Sequence, residues 1–181
     1  LKPIFISKTF PNHYSIATGM YAESHGLIAN SFFASDLDKH YSIHDRESVE
    51  NGDFYGGEPI WVTAERQGVK TASYFWVGTE AAVAGVHLSI SKRYDQKVPF
   101  DDRIDSVMTW FSLPMSQRPR LIMLYFHEPD WTGHEYGPSS AETVDQIQRM
   151  DGIMGTIMEK AEKLSIADKL NVLVVSDHGM T

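Results

Sequence analysis

The sequence predicts an α/β fold built around a mostly parallel sheet, with helices on its two faces. Short apolar runs alternate with segments of helical periodicity along the 181 residues, as expected when each strand is followed by a helical crossover. The chain is 42% apolar, which is enough to form a buried core. Its length fits one domain over residues 1–181.

The first half begins with a short helix in SIATGMY. This helix is predicted to start near Pro11-Asn12 and to stop at Gly19, because Pro is favoured in the first turn and Gly just past the last. Residues 34–56 are polar and without period, so they are predicted to form a surface excursion. EPIWVTAERQG predicts a helix that ends at Gly68, and VKTASYFW predicts a strand.

The second half predicts two helices and two strands. PFDDRIDSVMTWFSLP has the period of an amphipathic helix, and RPRLIMLYF has the character of a buried strand. Ser139 and Glu142 form a possible capping box for a long helix, and NVLVV is the predicted last strand. One apolar stripe of the long helix is predicted to be core: Val144, Ile147, Met150, Met154, Ile157, Met158 and Ala161.

The charge and composition of the chain argue against several classes of function. The net charge of -8 argues against binding to a nucleic-acid polymer, although a small phosphorylated ligand remains compatible. The absence of Cys excludes disulfides and thiolate sites. No apolar run is long enough to span a bilayer. LKPIFISKTF lacks the features of a signal peptide, so no targeting segment is expected in this chain.

Asp and His residues follow two of the predicted strands. Asp130 and His134 lie four residues apart in a predicted loop, and both residue types bind Zn²⁺ and similar ions. A simpler alternative is a turn-capping Asp with an exposed His. Asp177 and His178 are adjacent, and neighbours at a strand end are expected to point apart and so to serve two metals. Their alternative is an Asx turn. Sites form at the carboxyl ends of parallel strands, so the four side chains could converge.

The segment around the first helix offers a nucleophile and a donor. Thr9 lies where the chain enters the helix, next to backbone N–H groups that favour a phosphoryl anion. Its simpler role is an N-cap, because a Thr hydroxyl needs a base or a metal to become nucleophilic. Asn30 could donate its amide to an oxyanion, or be an ordinary loop residue. His13 is assigned to packing or capping.

Four segments together resemble the nucleotide pyrophosphatase/phosphodiesterase family of the alkaline phosphatase superfamily. They are KTFPNHYSIATGMYAESHGLIAN, GGEPIWVTAERQGVKTASYFWVGTEA, YFHEPDWTGHEYGP and VLVVSDHGM. The resemblance implies an alkaline-phosphatase-like three-layer fold with a mostly parallel central sheet. It also implies metal-dependent hydrolysis of phosphodiester or pyrophosphate bonds in small nucleotide substrates.

The resemblance implies roles for individual residues. Thr9 is the expected nucleophile, which forms a covalent phosphothreonine intermediate that water then hydrolyses, and Asn30 supports the oxyanion. Phe10 and Tyr94 look like the family's aromatic clamp for a nucleotide base. The implied cofactors are two Zn²⁺ ions or other divalent metals. The implied metal ligands are Asp130 and His134 for one ion, Asp177 and His178 for the other, and Thr9 in addition.

The family pattern also includes a zinc-ligand Asp upstream of the KTFPN segment and a His beyond SDHGM. Neither occurs in the 181 residues, so a partial catalytic domain is expected. FWVGTE replaces the more usual FWPGS. The family implies an extracytoplasmic location, periplasmic or secreted.

Three functions remain open. The first is a nucleotide phosphodiesterase or pyrophosphatase. The second is a phosphomonoesterase, or a hydrolase of phospholipids or glycerophosphodiesters, from the same superfamily. The third is non-enzymatic: an inert fragment, or a binding module that keeps the pocket but not the metals.

Overall fold

The computed structural model describes residues 2–181, which divide into two compact units. The first runs to Tyr94 and adds two later segments, Pro119–Met123 and Val175–Gly179. The second comprises Asp95–Arg118, Leu124–Val174 and Met180–Thr181. The chain therefore passes repeatedly from one unit to the other.

Helices and strands alternate along the chain. The helices are α1 (Thr9–Thr18), α2 (Ala22–His25), α3 (Arg46–Glu50), α4 (Ile60–Arg66), α5 (Phe100–Phe111), α6 (Asp130–Tyr136) and α7 (Ala141–Glu162), with short 3-10 helices at Gly52–Phe54 and Ala167–Lys169. The strands are β1 (Ser31–Ala34), β2 (Lys39–Ser42), β3 (Thr71–Tyr74), β4 (Ile90–Lys92) and β5 (Leu121–Leu124).

The first unit contains a three-stranded sheet with the strand order β4-β3-β5. Strands β3 and β4 run parallel, with Ala72 opposite Ile90. All four residues of β3 are buried, and α4 packs against this strand. A separate antiparallel pair joins β1 to β2. The predicted α/β class with parallel pairing is therefore confirmed.

Residues 34–56 contribute to the core of the first unit, so the prediction of a surface excursion is wrong for this segment. It contains β2, α3 and a 3-10 helix, and it buries Tyr41, Val49, Phe54 and Tyr55. These elements are three to five residues long, which is too short to display a helical period. Polar residues outnumber the buried aromatic residues in this segment, so its composition resembles that of a surface loop.

Three helices make up most of the second unit, where α5 and α6 both contact α7. Arg103 of α5 has no exposed surface. Its guanidinium donates hydrogen bonds to the backbone carbonyls of Val98, Gln96 and Tyr125. A buried cation is tolerated there because its donors are used.

Two predictions for α7 need correction. Its N-cap is Ser140 and not Ser139, because the Ser140 hydroxyl accepts the hydrogen bond from the Thr143 backbone N–H. The predicted core stripe is largely outside the core. Val144, Ile147 and Met158 are exposed, and only Ala161 at its end is fully buried.

The prediction that NVLVV forms the last strand is also wrong. Residues 171–175 have no strand conformation, and Leu173 is 82% exposed. A strand needs a hydrogen-bonded neighbour, and none of the strands within residues 2–181 pairs with this run. Over the same residues, no helix is both long and apolar enough to cross a membrane.

Replacing Gly78 with Ala is expected to destabilise the first unit more than replacing Gly68. Both glycines have positive φ values, +84° and +75°, so both substitutions strain the backbone. A Cβ on Gly78 would also lie 3.1 Å from the ring of Tyr14, whereas no atom of the described residues lies within 4 Å at Gly68. Overpacking should therefore lower the free energy of unfolding of Gly78→Ala by about 1–3 kcal/mol more than that of Gly68→Ala.

Urea unfolding of the two variants measures this difference directly. Equal losses of unfolding free energy would contradict the packing described for Gly78.

Candidate functional site

Helix α1 places Thr9 at its first position. The N-cap is Lys8, whose side chain makes no capping hydrogen bond. Thr9 is therefore not the N-cap, and the helix begins two residues before the predicted start. The predicted end is confirmed, because Gly19 closes the helix with φ of +68°. Pro11 in the first turn needs no backbone N–H partner, which suits a helix start.

Thr9 and Asp177 both lie against the imidazole of His178. The distance to His178 Nε2 is 3.3 Å from Thr9 Oγ1 and 3.3 Å from Asp177 Oδ2. Asp177 and His178 were expected to point apart, and that prediction is wrong. The backbone bends at Asp177, and the side chains of these neighbours come together.

A hydrogen bond fixes the orientation of the His178 ring. Its Nδ1 lies 2.9 Å from the Gly179 carbonyl, which can only accept, so Nδ1 carries a proton and donates. In the neutral imidazole the Nε2 lone pair then faces Thr9 and Asp177. Metal-binding histidines in proteins are commonly held in this way, by a donor bond from the other ring nitrogen.

His13 is a site residue that sequence analysis missed. It is 5% exposed, and its Nδ1 lies 2.8 Å from the Thr9 carbonyl and 3.3 Å from Asp177 Oδ2. Its ring packs edge-on against Trp76 at 4.9 Å. The spacing Thr9 to His13 is i,i+4, which places both on one helix face. That spacing was the available signal.

The carboxyl of Asp177 is kept in its charged form. Burial alone would raise its pKa, but the hydrogen bond from His13 and the nearby imidazoles of His13 and His178 outweigh burial, so the pKa lies below its ordinary value. The site in the first unit therefore contains a carboxylate, an imidazole and a hydroxyl within contact distance.

Asn30 is bound to the start of α1. Its Oδ1 accepts a hydrogen bond from the Phe10 backbone N–H at 3.2 Å, and its own carbonyl accepts from the Ile43 N–H at 3.0 Å. Because the side-chain oxygen is used in this way, the two N–H donors on Nδ2 point elsewhere. The structure thus brings Asn30 to the helix turn that carries Thr9.

The two predicted aromatic clamp residues also lie in the first unit. Phe10 follows Thr9 and packs against the core, with its ring 6.3 Å from that of Tyr41. Tyr94 is 38% exposed and lies edge-on to Phe75 at 5.1 Å. Its backbone N–H donates to Glu80 Oε2 at 3.1 Å. Both rings are thus anchored at one side by protein contacts.

Asp130 and His134 lie in the second unit, on α6 and not in the predicted loop. Asp130 is the first residue of this seven-residue helix. The four-residue spacing places the two side chains on one face, with Asp130 Oδ1 3.5 Å from His134 Nε2. Pro129 at the N-cap and an Asp in the first turn both favour a helix start here.

Each donor pair, taken by itself, has the spacing that a tetrahedral metal ion requires. Zinc bonds to O and N of about 2.0–2.1 Å place neighbouring donors about 3.3 Å apart. The contacts of His178 with Thr9 and Asp177 are 3.3 Å, and the contact between Asp130 and His134 is 3.5 Å. Within residues 2–181, no group of three or more His, Asp or Glu side chains is arranged to hold a metal.

A threonine hydroxyl at a helix start, beside an Asp–His pair in an α/β chain, is an arrangement that can bind an anion or a metal ion. Residues 1–181 match the model of the type I phosphodiesterase / nucleotide pyrophosphatase family. The chain belongs to this family, and the resemblance seen in the sequence is confirmed.

Individual relatives agree with this assignment. The chain is 43% identical over 180 residues to ectonucleotide pyrophosphatase/phosphodiesterase family member 1 of Homo sapiens. It is 41% identical over 180 residues to venom phosphodiesterase CdcPDE of Crotalus durissus collilineatus. These alignments cover 99% of this chain but only 19% and 22% of the relatives. The chain thus spans about a fifth of their length.

Solved structures confirm the fold. Murine ectonucleotide pyrophosphatase / phosphodiesterase 5 superposes with a TM-score of 0.93 at 32% identity, over 99% of this chain and 48% of that one. An inactive threonine-to-alanine variant of the same murine protein, in complex with AMP, gives a TM-score of 0.84 at 30% identity. That match covers 90% of this chain and 43% of the other. The predicted alkaline-phosphatase-like α/β fold is therefore confirmed.

Replacing His13 with Phe is expected to lower the free energy of unfolding by about 1–3 kcal/mol, because it leaves the half-buried Asp177 carboxylate without its donor. The exposed His87 provides the matched control, since His87→Phe removes an imidazole from the surface. Chemical unfolding at neutral pH compares the two variants. Equal stability of both would argue against the contact between His13 and Asp177.

Proposed function

We propose that this chain carries part of the catalytic site of an enzyme that hydrolyses phosphodiester or pyrophosphate bonds in nucleotides or related small molecules. The observation that carries the proposal is the position of the Thr9 hydroxyl, at the start of α1 and 3.3 Å from His178 Nε2. A hydroxyl at a helix N-terminus lies where an anionic phosphoryl group is favoured.

In the proposed reaction Thr9 is the nucleophile. Its Oγ1 gives up its proton to solvent and bonds to phosphorus as the bond to the leaving oxygen breaks, and the leaving oxygen takes up a proton. The phosphoryl group stays esterified to Thr9 until the oxygen of a water molecule bonds to phosphorus, the bond from phosphorus to Oγ1 breaks, and Oγ1 regains a proton. The side-chain amide of Asn30 donates to a phosphoryl oxygen as negative charge develops there. The Thr-to-Ala change in the inactive murine relative supports a catalytic threonine in this family.

We further propose that two divalent metal ions, Zn²⁺ in the first instance, take part. Thr9, Asp177 and His178 would hold one, and Asp130 with His134 would supply ligands to the other. Their donor spacings and their O and N chemistry fit zinc. When bound, such ions lower the pKa of a hydroxyl group and offset phosphoryl charge.

Nucleotides are the proposed substrates because an aromatic residue follows the nucleophile directly and a second, exposed aromatic ring lies in the same unit. Phe10 follows Thr9 directly, and the exposed ring of Tyr94 offers a second stacking surface in the same unit. Stacking accepts any base. The AMP complex of the murine relative supports nucleotide binding in this family. Names of relatives that include ectonucleotide and venom enzymes support an extracytoplasmic location.

Thr9→Ala is expected to lower kcat for a nucleotide aryl diester by more than about 10³-fold, since loss of a nucleophile removes the covalent route. Thr9→Ser keeps a hydroxyl and should retain measurable turnover. The assay follows release of the aryl alcohol, with the matching phosphomonoester as a comparison substrate. Equal or faster monoester cleavage by the unmodified chain would instead support a phosphomonoesterase.

Phe10→Ala is expected to weaken the binding of nucleotide substrates and to leave the binding of substrates without a base unchanged. Loss of one stacking contact costs about 1–3 kcal/mol, so KM for a nucleotide diester should rise about 5- to 160-fold. Cleavage of a simple bis-aryl phosphodiester, which has no base, should change little. If Phe10→Ala impairs cleavage of both substrates equally, Phe10 is not part of a base clamp. That result would favour another class of phosphodiester substrate, such as one with a lipid head group.

Zinc content provides an assay that does not depend on turnover. Elemental analysis after dialysis is expected to find two Zn²⁺ ions per chain. Asp177→Asn and Asp130→Asn should each remove one of them, because an amide is a weaker ligand than a carboxylate. Asp45→Asn, which alters an exposed helix cap, is the control. Retention of no metal by the folded chain would favour a binding module over an enzyme.

A further inference from the structure

His25 is a buried histidine with both ring nitrogens engaged. It is 1% exposed and is the last residue of α2. Its Nδ1 accepts a hydrogen bond from the Leu27 backbone N–H at 3.2 Å. Since Nδ1 is an acceptor, the proton of the neutral ring lies on Nε2, which donates to Ser15 Oγ at 2.8 Å. One tautomer therefore satisfies both contacts.

These two contacts join the segments that carry the nucleophile and the oxyanion donor. Ser15 lies on α1, the helix that begins with Thr9. Leu27 has no exposed surface and lies three residues before Asn30. The imidazole of His25 is thus the connection between α1 and the start of the Leu27–Asn30 segment.

The backbone around His25 is closely packed as well. The His25 carbonyl accepts from the Gly56 N–H at 2.9 Å, and the Gly56 carbonyl accepts from the Tyr14 hydroxyl at 3.0 Å. A Cβ on Gly56 would lie only 2.9 Å from the His25 carbonyl oxygen. The ring of Tyr14 packs edge-on against His25 at 5.0 Å. His25 therefore has little freedom to move relative to α1.

We propose that His25 is a positioning residue, which through Ser15 and Leu27 fixes Asn30 relative to Thr9. The far end of the segment supports this role, because Asn30 Oδ1 meets the Phe10 N–H beside Thr9. The consequence for catalysis rests on the proposed function. The geometric role of His25 does not depend on it.

Burial supports the neutral tautomer that the role requires. Desolvation lowers the pKa of His25, and this outweighs the opposing influences of backbone hydrogen bonds and of Glu23. A second proton on Nδ1 would face the Leu27 N–H, which is itself a donor. The neutral ring is therefore the form that holds the segment.

Kinetic measurements on five variants test the catalytic consequence. His25→Asn and Ser15→Ala each break the contact between the imidazole and α1, and each is expected to lower kcat about 10- to 100-fold with KM for a bis-aryl diester nearly unchanged. In an Asn30→Ala background His25→Asn should have little further effect, because the two act through one group. Thr71→Val is the control: it removes a fully buried hydroxyl that bonds to Glu65, at the amino end of β3.

Hydrogen exchange of the Phe10 amide tests the geometry without any turnover. Exchange should be at least about 10-fold faster in His25→Asn, Ser15→Ala and Asn30→Ala than in the unmodified chain, and unchanged in Thr71→Val. Unchanged Phe10 exchange in the folded His25 and Ser15 variants would overturn the proposal. If the unmodified chain cleaves no diester, the proposed function fails, whereas faster Phe10 exchange still supports the positioning role.

Discussion

The meeting of Thr9 and Asp177 at Nε2 of His178 is the constraint that the packing around α1 has to satisfy. The two oxygens each lie 3.3 Å from that nitrogen. A carboxylate and an imidazole lone pair are costly to bury together unless a proton or a cation lies among them. The surrounding protein must therefore hold them in place, and it does so mainly through α1.

Helix α1 divides its side chains between the site and the core. Thr9 and His13 lie on one face and meet the Asp177–His178 pair, while Tyr14 and Ala17 are buried in the core. The start of the helix is fixed by Asn12, whose side chain bonds to the carbonyls of Ile6 and Lys8 and to the Ile4 N–H. The position of Thr9 thus follows from how both helix faces pack.

Sequence patterns were sufficient where a local rule decides the structure. Gly19 ends α1 because a positive φ favours glycine there, and α5 forms where the apolar period predicts it. The family resemblance was sufficient to single out Thr9 and Asn30 as candidate site residues. Their contact through the Phe10 N–H could not be read from spacing, because it depends on how the chain returns after α2.

Sequence patterns failed where distant partners decide the outcome. Tyr41 is buried by Phe54 and Tyr55, which lie more than ten residues along the chain. Residues 171–175 have strand composition, but composition cannot supply a hydrogen-bonded neighbour. Asp130 and His134 were assigned to a loop because Pro129 and Gly133 suggested one, although Pro before a first turn is equally typical of a helix start.

Trapping the proposed covalent intermediate tests the role of Thr9 most directly. The chain would be mixed with a nucleotide aryl diester, quenched in acid and digested, and the peptide that contains Thr9 would be analysed by mass spectrometry. A nucleotidyl group on Thr9 is the expected result. Rapid release of the aryl alcohol with no modified peptide, or modification at another residue, would contradict Thr9 as the nucleophile.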